Sequence, residues 1–182
     1  MLCGIDEAGR GPIAGPLMIA GVIIKEPITG LADSKKLTEK KREELFEKII
    51  QASDYHVVSF CAKEIDKKGL SALMTQALKE IMAKLDAKSY LFDGNSSFGV
   101  ANLQTMVKAD DTVEAVKAAS IIAKVTHDKK MYELDALHPE YGFKDHKGYG
   151  TKAHIQAIKK YGYSDYHRRS YKVKALEGSL FD

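Results

Sequence analysis

The octapeptide Leu17-Met18-Ile19-Ala20-Gly21-Val22-Ile23-Ile24 constrains the fold more than any other stretch of this chain. It carries no polar side chain at odd or even positions, so a strand built from it is apolar on both faces and must be covered on both. A second apolar run, residues 2–7, precedes it. The connection Gly9-Arg10-Gly11-Pro12-Ile13-Ala14-Gly15-Pro16 is punctuated as a tight, hairpin-like reversal. Residues 55–61 alternate as a third strand, and 88–92 and 103–107 read as short further strands. Helical periodicity is expected over 39–52 behind Thr38 as N-cap, over about 71–85 behind Ser71, over 113–137, and from Thr151 to a stop at Gly162. Three hairpin-like strands followed by helices and further strands give an α/β chain, a mixed sheet with helices on its faces.

Composition excludes other classes. With 182 residues, 45% hydrophobic and 29% charged, the chain can bury a sizeable core and is neither disordered nor a disulfide scaffold. No run approaches the roughly 20 apolar residues of a membrane span. Acids at Asp6 and Glu7 stand where a signal peptide would be apolar. Cys3 and Cys61 form no framework. A reducing, cytoplasmic setting is the expectation.

Charge is unevenly spread. Residues 141–174 hold nine Lys/Arg against Asp145 and Asp165, a net +7 in a chain of +3, together with six of the nine tyrosines. Basic side chains interleaved with aromatics suit phosphate contacts plus stacking on bases or sugars. The same window also reads as a solvated helical face with tyrosines capping a core.

The chemistry sits in carboxylates at strand ends. Asp6 and Glu7 close the first strand, Asp93 closes a later one, and Asp110 follows a third. Acids gathered across neighbouring strands repel one another unless cations occupy the cluster. Oxygen-only ligands fit Mg²⁺ or Mn²⁺. Neighbouring strand residues face opposite sides, so Glu7 can join Asp6 at one site only from a strand end or a bulge, for which Gly9 supplies the freedom.

Six blocks, in order, resemble ribonuclease HII, the type 2 ribonucleases H. They are Asp6-Glu7-Ala8-Gly9-Arg10-Gly11-Pro12 with Gly15-Pro16; Asp33-Ser34-Lys35-Lys36-Leu37; Phe92-Asp93-Gly94; Lys108-Ala109-Asp110; Ala118-Ala119-Ser120-Ile121-Ile122-Ala123-Lys124-Val125; and His146-Lys147-Gly148-Tyr149-Gly150-Thr151. The resemblance implies a ribonuclease H-like fold: a mixed five-stranded sheet flanked by helices, with residues 1–140 as the catalytic part. A helical C-terminal region, 141–182, would contribute to substrate binding within the same structural unit. It implies a metal-dependent endonuclease that cuts RNA in RNA–DNA hybrids and single ribonucleotides in duplex DNA, leaving 5′-phosphate and 3′-hydroxyl ends.

By motif position, Asp6, Glu7, Asp93 and Asp110 would be the catalytic, metal-binding carboxylates of a two-metal Mg²⁺ or Mn²⁺ site. The Gly9-Arg10-Gly11 turn would meet the ribose 2′-hydroxyl, the group that separates RNA from DNA, and Tyr149 would pack on the adjacent sugar. Lys35, Lys36, Ser120, Lys124 and Lys147 stand in blocks used near the phosphate backbone. Departures are few: His127-Asp128 replaces the commoner Arg-Asp, so phosphate contacts there are expected to be weaker, and Tyr171 stands where Phe is usual.

A ribonuclease HIII-like enzyme would carry a further N-terminal domain, for which this chain offers no room. Another nuclease on the same fold would lack the Gly-Arg-Gly turn paired with the Lys-Gly-Tyr-Gly block. A non-catalytic nucleic-acid-binding domain would be expected to have lost an acid. The expected enzyme acts as a monomer on RNA–DNA hybrids and ribonucleotide-containing duplexes, without a membrane. The ending Glu177-Gly178-Ser179-Leu180-Phe181 is similar to the Gln-x-x-Leu-Phe peptides that hold sliding clamps, with Glu in place of Gln. It is expected either to fold back onto the domain or to support a weak, tail-dependent clamp contact.

Overall fold

A computed structural model describes residues 1–177. Two strands, β1 (Leu2–Ala8) and β2 (Leu17–Ile24), pair antiparallel, and β3 (Ser53–Phe60) extends β2 antiparallel. On the other side of β1, β4 (Ser89–Asp93) and β5 (Leu103–Met106) add in parallel, giving the order β3-β2-β1-β4-β5. This is the mixed five-stranded sheet expected. The doubly apolar octapeptide is a central strand, flanked by β1 and β3.

Both faces of that strand are buried. Leu17, Ile19 and Ile23 join Cys3, Ile5 and Phe92 against α3 (Leu70–Lys84), which contributes Leu73, Met74, Ala77, Leu78 and Ile81. Ala20 and Val22 face the other way, onto α4 (Glu114–Leu137) and onto Leu45 and Ile49 of α1 (Glu39–Ala52). The approach of α4 to the sheet depends on Gly4. A Cβ there would lie 2.2 Å from the carbonyl carbon of Ala115, so any side chain would push the helix off β1.

Threonine caps set two of the helix starts. The Thr38 hydroxyl accepts from Lys41 N at 3.3 Å, and Thr151 caps α6 (Lys152–Tyr161) by accepting from His154 N. Two expectations need correction. Ser71 does not cap α3, because Gly69 (φ +79°) is its N-cap and Ser71 lies inside the first turn. A short helix, α2 (Ala62–Lys68), also precedes it. Its run AKEIDKK has one buried aliphatic side chain beyond Ala62, Ile65, and so too little periodicity to be read. It is defined instead by the Glu64 carboxylate accepting from Cys61 N at 2.8 Å.

Residues beyond 137 form α5 (Phe143–His146), α6 and short 3-10 turns around a third core of Ala14, Met131, Leu134, Tyr141, Phe143, Ile158 and Leu176. This region is bound to the β1–β2 connection. Ile13 N donates to Gly148 O at 2.9 Å, Gly15 N to Tyr166 O at 2.8 Å and Arg168 N to Ile13 O at 2.8 Å. No described helix is long and apolar enough to cross a membrane.

Candidate active site

Parallel pairing of β1, β4 and β5 brings their C-terminal ends to one edge of the sheet, where ligand sites of open α/β sheets form. Ile5 pairs with Phe92, so the next residues, Asp6 and Asp93, stand side by side. After β5 the chain passes through left-handed Lys108 (φ +59°) into a 3-10 turn, Ala109–Asp111, that returns Asp110 to the same place. One carboxylate oxygen from each of Asp6, Asp93 and Asp110 lies within 4.8 Å of the others. Asp93 is held by Ala109 N, which donates to its Oδ1 at 3.3 Å. Asp6 Oδ1 accepts from Glu7 N at 2.8 Å.

The electrostatics of this cluster are unfavourable without a cation. Burial pushes the Asp6 carboxyl well above the usual range, and the charges of Glu7 and Asp93 push it further. Burial raises Asp110 too, followed by its hydrogen bond and repulsion with Asp93; Lys35 opposes this from 3.3 Å. A divalent ion reverses this balance, and an all-oxygen donor set suits a hard one.

Glu7 is not part of the three-oxygen group. The β1–β2 register continues without a bulge through Ala8, so Glu7 lies near a strand end and strand alternation sets it apart from the Asp6 group. It lines the same cleft and pairs with Arg10 at 3.3 Å. Its other oxygen, Oε2, is buried with no hydrogen-bond partner among the described residues. Burial, then Asp93, raises its pKa against the pull of Arg10. A buried, unpartnered carboxylate oxygen beside a carboxylate trio is a donor set that fits a hard divalent cation.

The acids open into a cleft of about 460 Å³ whose lining includes Gly9, Arg10, Gly11, Lys35, Ser120, Lys124 and Tyr149, all expected from sequence. Gly9 (φ +88°) cannot be replaced without strain, since a Cβ would sit 2.4 Å from Pro16 O and 2.6 Å from the His127 ring. Arg10 reaches over the Phe98 ring at 5.6 Å. Ser34 and Ser120 share a 2.7 Å hydrogen bond, and Lys124 pairs with Asp128 at 2.9 Å. Two expected lysines lie elsewhere. Lys36 bonds Asp111 at 2.5 Å, while Lys147 donates to Lys144 O and sits over the Tyr132 ring; neither lines the cleft.

Three features were not legible as site features beforehand. His127 is a fully buried ring lining the cleft, with Nδ1 3.4 Å from Asp128 and Nε2 without a partner among the described residues. Arg168, counted among the basic surface charges, is 1% exposed and is spent on the turn backbone. Its guanidinium donates to Gly9 O (2.5 Å), Arg10 O (3.1 Å), Gly15 O (2.9 Å) and Pro16 O (3.0 Å). The Tyr171 hydroxyl accepts from Arg168 at 3.0 Å and donates to Arg10 O at 2.6 Å, a link that a phenylalanine could not make. The tyrosines of the basic window divide likewise. Tyr141 is buried and Tyr163 and Tyr166 pack on the third core, whereas Tyr149 and Tyr161 are half-exposed.

The comparisons agree with this geometry. Residues 3–174 match the profile of the family described as ribonuclease HII. The ribonuclease HII of Sulfurovum sp. (strain NBC37-1) is 59% identical over 181 residues, covering 99% of this chain and 96% of that one. Among solved structures, the RNase HII of the PCNA:RNase HII complex from Archaeoglobus fulgidus superposes with a TM-score of 0.83 at 26% identity, covering 96% of each chain. The ribonuclease H2 of Pyrococcus horikoshii OT3 gives 0.79 at 30%, covering 100% of this chain and 99% of that one.

Proposed function

The chain belongs to the ribonuclease HII family, and from that premise we propose that it cleaves the RNA strand of RNA–DNA hybrids and single ribonucleotides embedded in duplex DNA, leaving 5′-phosphate and 3′-hydroxyl ends. The observation that carries the reading is the convergence of Asp6, Asp93 and Asp110 oxygens within 4.8 Å, with Asp6 and Asp93 lining a cleft that the Gly9-Arg10-Gly11 turn and Tyr149 also line. Asp6, Asp93 and Asp110, with Glu7 turning in from its Arg10 pair, would hold two divalent ions, Mg²⁺ or Mn²⁺. Bound there, the ions supply an activated water and stabilisation of the leaving oxygen in an in-line attack on phosphate.

The remaining work falls to the chain itself. The Gly9–Gly11 backbone, fixed from behind by Arg168, offers groups to the ribose 2′-hydroxyl at a distance only glycine permits. Tyr149 packs on the neighbouring sugar and orients the scissile phosphate. Lys35 and Lys124 stand at the cleft beside Ser120 to contact phosphates. Residues 141–177 pack in the same structural unit and would contribute this face of the substrate site. Lys36 and Lys147, outside the cleft, would meet the duplex further from the cut. Cys3 and Cys61 are free thiols, which fits a cytoplasmic enzyme, and we take it to act as a monomer. The tail segment Glu177–Phe181 lies, after Glu177, outside the described residues; we propose for it a weak contact with a sliding clamp.

The test is incubation with a duplex holding one ribonucleotide, with and without Mg²⁺ or Mn²⁺, and mapping of both new ends. Cleavage should be metal-dependent and absent in Asp93→Asn, whose amide loses both the charge and a strong oxygen ligand. Cutting without added metal in the presence of a chelator, or near-normal turnover of Asp93→Asn at saturating Mg²⁺, would overturn the reading.

A further inference from the structure

Beneath Tyr149 lies a chain of three imidazoles with no part in the carboxylate chemistry. The rings of His146 and His154 stack with centroids 4.0 Å apart and 11° between planes, and His154 Nε2 is 3.0 Å from His167 Nε2. His154 and His167 are fully buried. All six ring nitrogens have partners, and the partners dictate where the protons are. His146 donates from Nε2 to Tyr141 O (2.8 Å) and accepts at Nδ1 from Gly148 N (3.1 Å). His154 donates from Nδ1 to Tyr149 O (2.8 Å), so its Nε2 holds a lone pair. His167 accepts at Nδ1 from Ser164 N (2.9 Å) and so donates from Nε2 to His154. One arrangement satisfies every group, with one proton on each ring and His154 in the tautomer opposite to the other two.

The far end of this chain is the segment that carries Tyr149. Lys147 (φ +52°) and Gly148 (φ +86°) are both left-handed, and a Cβ on Gly148 would lie 2.2 Å from Ala14 O. Tyr149 N donates to His146 O at 3.0 Å, and Tyr149 O receives the His154 proton. The Tyr149 carbonyl is thus held by the His154 imidazole and the preceding Gly148 N–H by the His146 imidazole, with Tyr149 N–H on a backbone carbonyl, while the ring itself lines the cleft.

We propose that His146, His154 and His167 are positioning residues for cleavage, a proton-ordered chain that fixes the Tyr149 backbone and through it the seat of the sugar beside the scissile phosphate. The inference rests on the reading of Tyr149 as the sugar-packing residue. Burial supports the neutral rings it requires, drawing His154 down to about 4 and His167 to about 3. A second proton on His154 would set two N–H groups against each other across the His154–His167 contact.

The test uses the full chain and a DNA duplex with one ribonucleotide at saturating Mg²⁺. Single-turnover rate and duplex affinity are measured for the wild type, His154→Asn, His154→Leu, Tyr149→Ala and the Tyr149→Ala/His154→Leu double variant. His154→Leu should cut about 10- to 100-fold more slowly, with duplex affinity within about threefold of wild type. His154→Asn, whose amide can reproduce the Nδ1 donor, should recover most of that loss. The double variant should be no slower than Tyr149→Ala alone. Losses that multiply in the double variant, or an unimpaired His154→Leu, overturn the inference. An unimpaired Tyr149→Ala overturns the Tyr149 reading instead. Where His154→Leu fails to fold, the wild type still decides. Long-range proton–nitrogen NMR correlations should show Nδ1–H for His154 and Nε2–H for His146 and His167, and any other pattern refutes the chain.

Discussion

Replacing Arg168 tests how the substrate-facing turn is held. Its guanidinium is buried at 1% exposure, and its bonds go to four backbone carbonyls and a tyrosine hydroxyl rather than to a carboxylate. Burial pulls its pKa below the ordinary arginine value, and the neighbouring Tyr171 and Asp66 work against that. Truncation to methionine fills some of the volume but leaves the carbonyls of Gly9, Arg10, Gly15 and Pro16 without that donor. Each buried acceptor left unsatisfied costs roughly 1–3 kcal/mol, so several together should cost roughly 3–5 kcal/mol. For a chain of this length each kcal/mol moves the midpoint by about 2–4 °C, so Arg168→Met should melt roughly 10 °C lower. Arg168→Lys keeps the charge but not the planar fork and should fall between the two. Tyr171→Phe, which removes one hydroxyl from the network, should cost about 1 kcal/mol. The assay is thermal unfolding by circular dichroism in chelator, followed by cleavage of the single-ribonucleotide duplex. An Arg168→Lys variant that melts and cuts like the wild type would refute the claim that the fork holds the turn.

Other perturbations give equally direct readings. Asp6→Asn removes a buried charge crowded by Glu7 and Asp93, so the metal-free protein should melt higher than wild type while Mg²⁺ or Mn²⁺ raises its midpoint less; calorimetry with and without metal checks both signs. Gly9→Ala forces a Cβ to 2.4 Å from Pro16 O at φ +88°; it should cost at least about 2 kcal/mol and depress cleavage more than a surface Gly→Ala. For pH, His154 and His167 have folded values of about 4 and about 3, below the unfolded 6.5. Their contribution is therefore complete above about pH 6.5 and lost as pH falls towards 4 and 3. Between pH 7 and 5 the loss is roughly 2 kcal/mol for each, opposed by the carboxylates whose values are raised. The difference in pH slope between wild type and a His154→Asn/His167→Asn variant isolates it, and equal slopes would refute the assignment.

What sequence reading could reach here was whatever depends on near neighbours. The strands Leu17–Ile24 and Ser89–Asp93 and the helix Glu39–Ala52 follow from local periodicity and from caps three residues away. The meeting of Asp6 with Asp93 and Asp110 was legible because carboxylates at successive strand ends converge once the strands run parallel. Arg168 was out of reach for the opposite reason. The bonds from Arg168 to Gly9 and Arg10 span 159 and 158 residues, and in sequence that arginine is indistinguishable from Arg169, whose side chain is exposed. His127 was visible as a departure from Arg but not as a buried ring in the cleft wall. The bonds that hold the acids come from residues before 114, whereas those that hold the Gly9–Pro16 turn and Tyr149 come from the C-terminal region. Damage to residues 146–171 should therefore impair selection of the ribose before it disturbs the carboxylate cluster. Variants there are expected to keep metal-induced stabilisation while losing discrimination between a ribonucleotide and a deoxyribonucleotide at the cut.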